Sequence, residues 1–588
     1  MSLVDRLRTA RIAWPLIRRA ILSGQLFRPR CTLTPPDPDV LCEYGVEVPV
    51  ADGVVLTANV FRSRKADAAG ARVPVVMCAH PYDNSLIPAL GKTPLRGPPP
   101  HYRIIPQAGT PRFSTLTSWE SPDPNFWVPE GYAVVNLNLP GFGSSAGDPT
   151  VFTDRQAKSY YEAIEWIARQ SWCTGKVGLS GVSYLAISQY HVAACRHYGG
   201  PPPSLRCISP WEGMADVYRE IACAGGLEDR GFAYFWWMID MAPSLAGTPA
   251  DFIEHNGSLP TDFLKLHPLY DEFWREKAAK LEQIDLPMLV CASFSDHGLH
   301  TVGSFRAFVK GRSPHKWLYT HRDGKWDVYY SPEVQRLTKA FMDRFLKDDA
   351  SSGFLDRAPV RLEVRSSRDT IHEVRYETSW PLERTAYTKL FLVAEPRRLD
   401  RHSSPASQAI AYHGRRGRAA FAIRFDRDTE LTGHMKLRLW VQAMAAPGAA
   451  AAPDDMAIFV AADKRDRTGR PVRFRGSVGN IDDMVTRGYC RVSRRELDAA
   501  ESTEYQPVLS GTSHRPLAPG EIVPVDIALY PSSTLFAAGE SLELIVSASA
   551  IIRSPPYEKD ASFNRGIHVI HSGGSHDSHL LVPVVPAR

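Results

Sequence analysis

VPVVMCAH at residues 73–80 is a continuous run of apolar, largely β-branched residues, a pattern that suits a strand covered on both faces of a parallel sheet. GYAVVNLNLPG (131–141) is a second such run. Helical spacing follows at Asp154–Gln170, where Tyr160, Ala163, Ile164 and Ile167 share one face. KVGLSG (176–181) then reads as a strand, SYLAISQYHVAAC as a helix and SLRCIS (204–209) as a strand. That alternation predicts a parallel α/β sheet. Upstream, YGVEVPVADGVVLTANVFRS alternates around Asp52-Gly53, a hairpin signal.

The rhythm breaks at Pro210. Residues 210–285 are helix-like and aromatic, with FAYFWWM at 232–238. It resumes with LPMLVCASFSD (286–296), a helix-like VGSFRAFVKG, HKWLYTH (315–321) and a helical segment to about Lys347. Beyond Ala358, short alternating strands such as TKLFLV, HMKLRLWVQA and ESLELIVSAS are separated by Gly, Pro, Asp and Ser turns, the pattern of an all-β sandwich. The expected organisation is an extension over 1–44, an α/β domain over 45–209 and 286–350, a helical cap over 210–285, and a β-domain over 351–588.

Composition removes several function classes. With 69 Lys+Arg against 64 Asp+Glu, the net charge of +5 over 588 residues is too small for a nucleic-acid footprint. No run approaches the roughly 20 apolar residues of a membrane span. Nine cysteines without a CxxC pair read as buried small residues in a reducing, cytoplasmic setting. The opening segment MSLVDRLRTARIAWPLIRRAIL spreads Arg among apolar residues, unlike a signal peptide. It reads as an amphipathic helix, packed on its own domain or touching a membrane.

Chemistry concentrates at Gly181-Val182-Ser183-Tyr184-Leu185-Ala186, between a predicted strand and a predicted helix. A sharp turn there lifts a serine hydroxyl above the sheet at a helix N-terminus. A serine nucleophile needs a base, and the base needs a carboxylate. Asp296 ends one later strand and His321 the next, in the order Ser, Asp, His expected of such a sheet. Oxyanion donors are expected from the Tyr184 N–H and from the loop His80-Pro81-Tyr82-Asp83-Asn84. That loop lacks glycine, which makes the Tyr82 hydroxyl a candidate.

GLSGVSYLAISQY, the Pro81-Tyr82-Asp83 after a buried strand, SFSD before a helix, and HDSHLLVPVVP near the end together resemble the CocE/NonD hydrolases. This family is related to cocaine esterase, α-amino acid ester hydrolases and X-Pro dipeptidyl peptidases. The resemblance runs from about Glu43 onward. It implies an α/β-hydrolase fold with a helical cap and a C-terminal jelly-roll, galactose-binding-like domain. It carries the nucleophile to Ser183, the acid to Asp296, the base to His321 and the oxyanion hydroxyl to Tyr82. Ala186 stands where the family has glycine. Of the carboxylates that hold an ammonium in the α-amino acid ester hydrolases, Asp216 is the only match, since His297, Gly298 and Leu299 follow Asp296.

The expected activity is hydrolysis of a small-molecule carboxylic ester without cofactor or metal. Asp216, Phe235, Trp236 and Trp237 are candidate pocket residues, and the resemblance implies a homo-oligomer. Two alternatives stay open: an amidase or X-Pro dipeptidyl-peptidase activity, and a non-catalytic carbohydrate- or partner-binding protein on a hydrolase scaffold.

Overall fold

The computed structural model describes residues 3–91, 97–106, 109–478, 481–553 and 557–587. Eight strands form the first sheet: β1 (Val40–Pro49), β2 (Val55–Ser63), β3 (Val73–His80), β4 (Ala133–Asn138), β5 (Cys173–Val182), β6 (Leu205–Trp211), β7 (Met288–Ser293) and β8 (Lys316–His321). Their spatial order is β1-β2-β4-β3-β5-β6-β7-β8. The pairs β1–β2 and β2–β4 are antiparallel, and every later pair is parallel. β1 begins at Val40, upstream of the expected start, and turns into β2 through Asp52 and Gly53, both at positive φ. β4 and β7 are buried at every position, as their apolar runs require.

Helices cover both faces. α1 (Leu3–Leu22) precedes the sheet, and α2 (Asp154–Ala168) and α3 (Tyr184–Ala193) flank β5. One core, built around Met77, Val135, Ile164, Leu179 and Tyr190, fills one face. A smaller one, around Val76, Val134, Cys207, Phe341 and Met342, fills the other. Residues between β6 and β7 form the insertion, which is broken into short helical pieces, among them α4 (Phe232–Trp236). Three further helices, α5 (Thr301–Lys310), α6 (Lys325–Tyr329) and α7 (Pro332–Leu346), follow β7 and β8.

The strand Val360–Ser367 joins this first sheet, parallel to β8, and carries Thr370–Glu377 as an antiparallel edge. Strands from Ala386 onward build two largely antiparallel sheets, linked through the parallel pair Arg398–Ala422 and through Gly488–Leu529. In one, Thr429–Met444 pairs with Ile522–Phe536, with Ile567–Ser572 and with His579–Val585. In the other, Ser541–Ser547 lies between Arg418–Arg424 and Ala457–Arg465. A separate core, including Leu437, Leu439, Val460, Ile527 and Leu544, lies between them.

Candidate active site

Ser183 stands at the turn from β5 into α3 with φ 61° and ψ −118°, a conformation that costs a non-glycine residue energy and is held by its surroundings. Its N–H donates to Trp211 O (3.0 Å) and Glu212 O (3.2 Å), which ties the turn to the end of β6. Gly181 has φ 152°, and a Cβ there would lie 2.5 Å from Leu185 Cβ, so the first glycine of the motif is sterically required. Ala186 is accommodated because Gly213 faces it: a Cβ on Gly213 would come within 3.0 Å of Ala186 Cβ.

The imidazole facing the serine is that of His300. Ser183 Oγ–H donates to His300 Nε2 (3.1 Å), and His300 Nδ1–H donates to Asp296 Oδ2 (2.5 Å). Asp296 follows β7, and four residues later His300 caps the start of α5, so one short loop delivers both groups. Lys325, at the start of α6, donates to Asp296 Oδ2 (2.9 Å), and its Nζ lies 3.0 Å from His300 Nδ1. Burial, then the Lys325 ammonium, lower the His300 pKa. Asp296 is held well below the usual carboxylate range: burial opposes ionisation, but Lys325 and His300 outweigh it.

His321, the expected base, is engaged elsewhere. Its Nδ1 accepts from the Asp323 N–H (3.1 Å), which places its proton on Nε2, and that N–H donates to Glu212 Oε1 (3.1 Å). Glu212 also accepts from Ser293 Oγ–H (2.7 Å). Being the last residue of β8, His321 is drawn into this bridge to Glu212, and the ring within hydrogen-bond reach of Ser183 is that of His300, not the expected His321. The ligand atoms of Glu212, Cys291 and His321 lie within 4.8 Å of one another. With both imidazole nitrogens engaged, His321 has no lone pair left for a metal.

A cavity partly open to solvent reaches Ser183, Tyr184, His300 and Lys325. Phe235 and Trp236 line it. Trp237 does not; its ring packs edge-on against Phe252 with centroids 5.0 Å apart. Asp216 also lies outside the lining, in an ion-pair cluster with Arg219 (3.6 Å) and Arg306 (3.9 Å), so it is no trap for a substrate cation. The pocket carries four other carboxyls, Glu120, Glu228, Asp229 and Asp240, none marked by any motif. Glu120 accepts from Trp326 Nε1–H (2.9 Å), and burial pushes its pKa up to about 8. Asp240 pairs with His101.

Tyr82 also borders the cavity. Its Oη accepts a long hydrogen bond from Trp236 Nε1–H (3.4 Å), and burial raises its pKa well above the ordinary value, so the hydroxyl keeps its proton. The Tyr184 side chain is occupied by Gln156 (2.7 Å); its contribution would come from the backbone N–H at the start of α3.

The C-terminal strands brace the loops that carry Asp296, His300 and Lys325. His297, next to Asp296, stacks on Tyr530 (4.8 Å between centroids) and lies 3.2 Å from Asp483 Oδ2. Arg322, between His321 and Lys325, donates to Val485 O (3.0 Å) and lies over the Phe474 ring (4.4 Å).

Residues 52–324 match the family model of the X-Pro dipeptidyl-peptidase (S15 family), and residues 352–581 match that of the X-Pro dipeptidyl-peptidase C-terminal non-catalytic domain. Cocaine esterase of Rhodococcus sp. (strain MB1 Bresler) is 27% identical over 402 residues, 59% of this chain and 61% of that protein. The chain thus spans less than two thirds of that curated relative. A CocE/NonD family hydrolase from Staphylococcus aureus is 36% identical, with 93% of this chain and 94% of that one covered and a TM-score of 0.81. An α-amino acid ester hydrolase, 16% identical with a TM-score of 0.66 over 93% of this chain and 97% of its own, shares the fold.

Proposed function

This chain belongs to the CocE/NonD hydrolase family, and on that premise we propose that it cleaves carboxylic esters through an acyl-enzyme on Ser183, with His300 as base and Asp296 as its carboxylate. The observation that carries the reading is the unbroken relay from Ser183 Oγ to His300 Nε2 (3.1 Å) and from His300 Nδ1 to Asp296 (2.5 Å). As Oγ attacks the acyl carbon, its proton passes to Nε2, and Asp296 stabilises the imidazolium that forms. The Tyr184 N–H and the Tyr82 hydroxyl donate to the oxyanion. Collapse expels the alkoxide, which takes the proton from Nε2. Water, giving its proton to the same nitrogen, then releases the acid and frees Ser183.

The strand order is read as that of an α/β-hydrolase fold, with residues 210–285 as its cap. The two C-terminal sheets are read as a jelly roll that braces the loops carrying His300 and Lys325. The substrate is a small-molecule ester whose apolar part packs among Phe235, Trp236 and their aromatic neighbours. Nine unpaired cysteines support a cytoplasmic home. A second reading, cleavage of an amide, is favoured by the match of residues 52–324 to the X-Pro dipeptidyl-peptidase family model.

Hydrolysis of p-nitrophenyl esters of increasing acyl length and of the matching anilides, by wild type and Ser183→Ala, tests the reading. Ester turnover that disappears in the variant, with little anilide turnover, is the expected result. Equal or greater anilide turnover would move the assignment to the second reading. Undiminished ester turnover in Ser183→Ala would overturn both.

A further inference from the structure

Helix α1 carries its apolar side chains on the wrong side for a helix that merely completes a core. Leu16 and Ala20 are 3% and 1% exposed and face the domain, yet Trp14, Ile21 and Leu22 are 58%, 43% and 75% exposed. At about 3.6 residues per turn, exposed Arg11, Trp14, Arg18, Ile21 and Leu22 fall within roughly one third of the helix circumference, opposite Leu16 and Ala20. The segment after the helix adds Phe27, 74% exposed, and the exposed Arg28.

Charge identifies what this face fits. Residues 1–30 hold seven arginines and a single acidic residue, Asp5, a net +6. The whole chain carries +5, so residues 31–588 together carry −1. The positive charge of the molecule is thus gathered on the segment that also displays Trp, Ile, Leu and Phe to solvent. Burying this face against a second copy would bring two such arginine clusters together. An anionic bilayer supplies what the face lacks: phosphate groups for arginine, and an interface into which Trp14 and the aliphatic side chains partition.

We infer that α1 and the segment after it dock this protein on an anionic membrane surface. α1 packs against α4 and the helical turn His101–Ile104, and Gln25 Nε2–H donates to Tyr102 O (3.1 Å) and Ile105 O (2.7 Å). His101, Ile105 and α4 also line the cavity that leads to Ser183. The helix that carries the docked face is therefore seated on elements that line the pocket. No helix among the described residues is long and apolar enough to cross a membrane, so the contact is one of lying on the surface.

Co-sedimentation of the full chain with vesicles of phosphatidylcholine containing about one third phosphatidylglycerol, against phosphatidylcholine alone, tests the inference. Expected is binding to the anionic vesicles at least about tenfold tighter than to the neutral ones, weakened by salt as the Debye length shrinks. Trp14→Ser/Leu22→Ser/Phe27→Ser and, separately, Arg11→Glu/Arg18→Glu should each weaken it about tenfold. Both variants should hydrolyse a soluble p-nitrophenyl ester at the wild-type rate, which certifies their folding. Failure to bind, equal binding to neutral vesicles, or variants that bind like wild type would overturn the inference. So would a dimer that the triple substitution dissociates without any vesicle binding, which would give the face to a second copy.

Discussion

Lys325 Nζ stands 3.0 Å from Nδ1 of His300, both of them buried. The ammonium and the imidazole share Asp296 Oδ2, so the proposed base lies beside a fixed positive charge. An imidazole beside a cation gives up its proton more readily, and the neutral form able to accept from Ser183 persists to lower pH.

Lys325→Met removes that charge and leaves Asp296 in place. The His300 pKa then rises, and the acid limb of kcat/KM moves to higher pH, with a several-fold loss on the acid side and a smaller change on the plateau. A pH–rate profile on a soluble ester measures it. A profile with an unmoved acid limb would remove Lys325 from the control of the base.

The turn that presents Ser183 was legible because its signal is local. A strand, Gly181-Val182-Ser183 and a helix occupy one short stretch, and steric demand alone makes Gly181 necessary. The partner of Asp296 was not legible in that way. Ending the next strand pointed to His321, but that ring is captured by Glu212, a contact between segments 109 residues apart. His300 does carry a signal, since it lies four residues after Asp296 at a helix start, but its meaning depends on how the loop turns. Glu120 and Lys325 come from segments with no motif at all. In the fold, the continuous β-branched runs gave the parallel strands. Val360–Ser367, which alternates like the C-terminal strands, extends the first sheet instead, because its partner β8 is chosen by tertiary packing.

Tyr82→Phe removes one oxyanion donor and keeps the ring against Tyr184 (6.3 Å between centroids). kcat is expected to fall about 10²-fold with KM changed by about twofold or less, since the hydroxyl acts where charge develops. Steady-state kinetics on a p-nitrophenyl ester read both constants. An unchanged kcat would leave the oxyanion to backbone donors.

Glu120 links the pocket to stability. Burial raises its pKa to about 8 in the fold, against an ordinary 4.5. The fold therefore holds it neutral while the unfolded chain ionises it, and stability falls as pH rises from the ordinary value through about 8. Glu120→Gln removes this dependence. Relative to wild type, the variant should have a higher Tm at pH 8 than it has at pH 4, measured by thermal denaturation at both. An equal Tm difference at the two pH values would mean that the carboxyl ionises freely in the fold.

His300 and His321 separate most directly in one experiment: labelling of Ser183 by a fluorophosphonate probe, followed by intact-protein mass spectrometry and normalised to folded protein by circular dichroism. His300→Asn should slow labelling by about 10³-fold or more, because the serine has lost its base. His321→Asn should label at close to the wild-type rate. Rapid labelling of His300→Asn together with an unreactive, folded His321→Asn would contradict the assignment and return the base to β8.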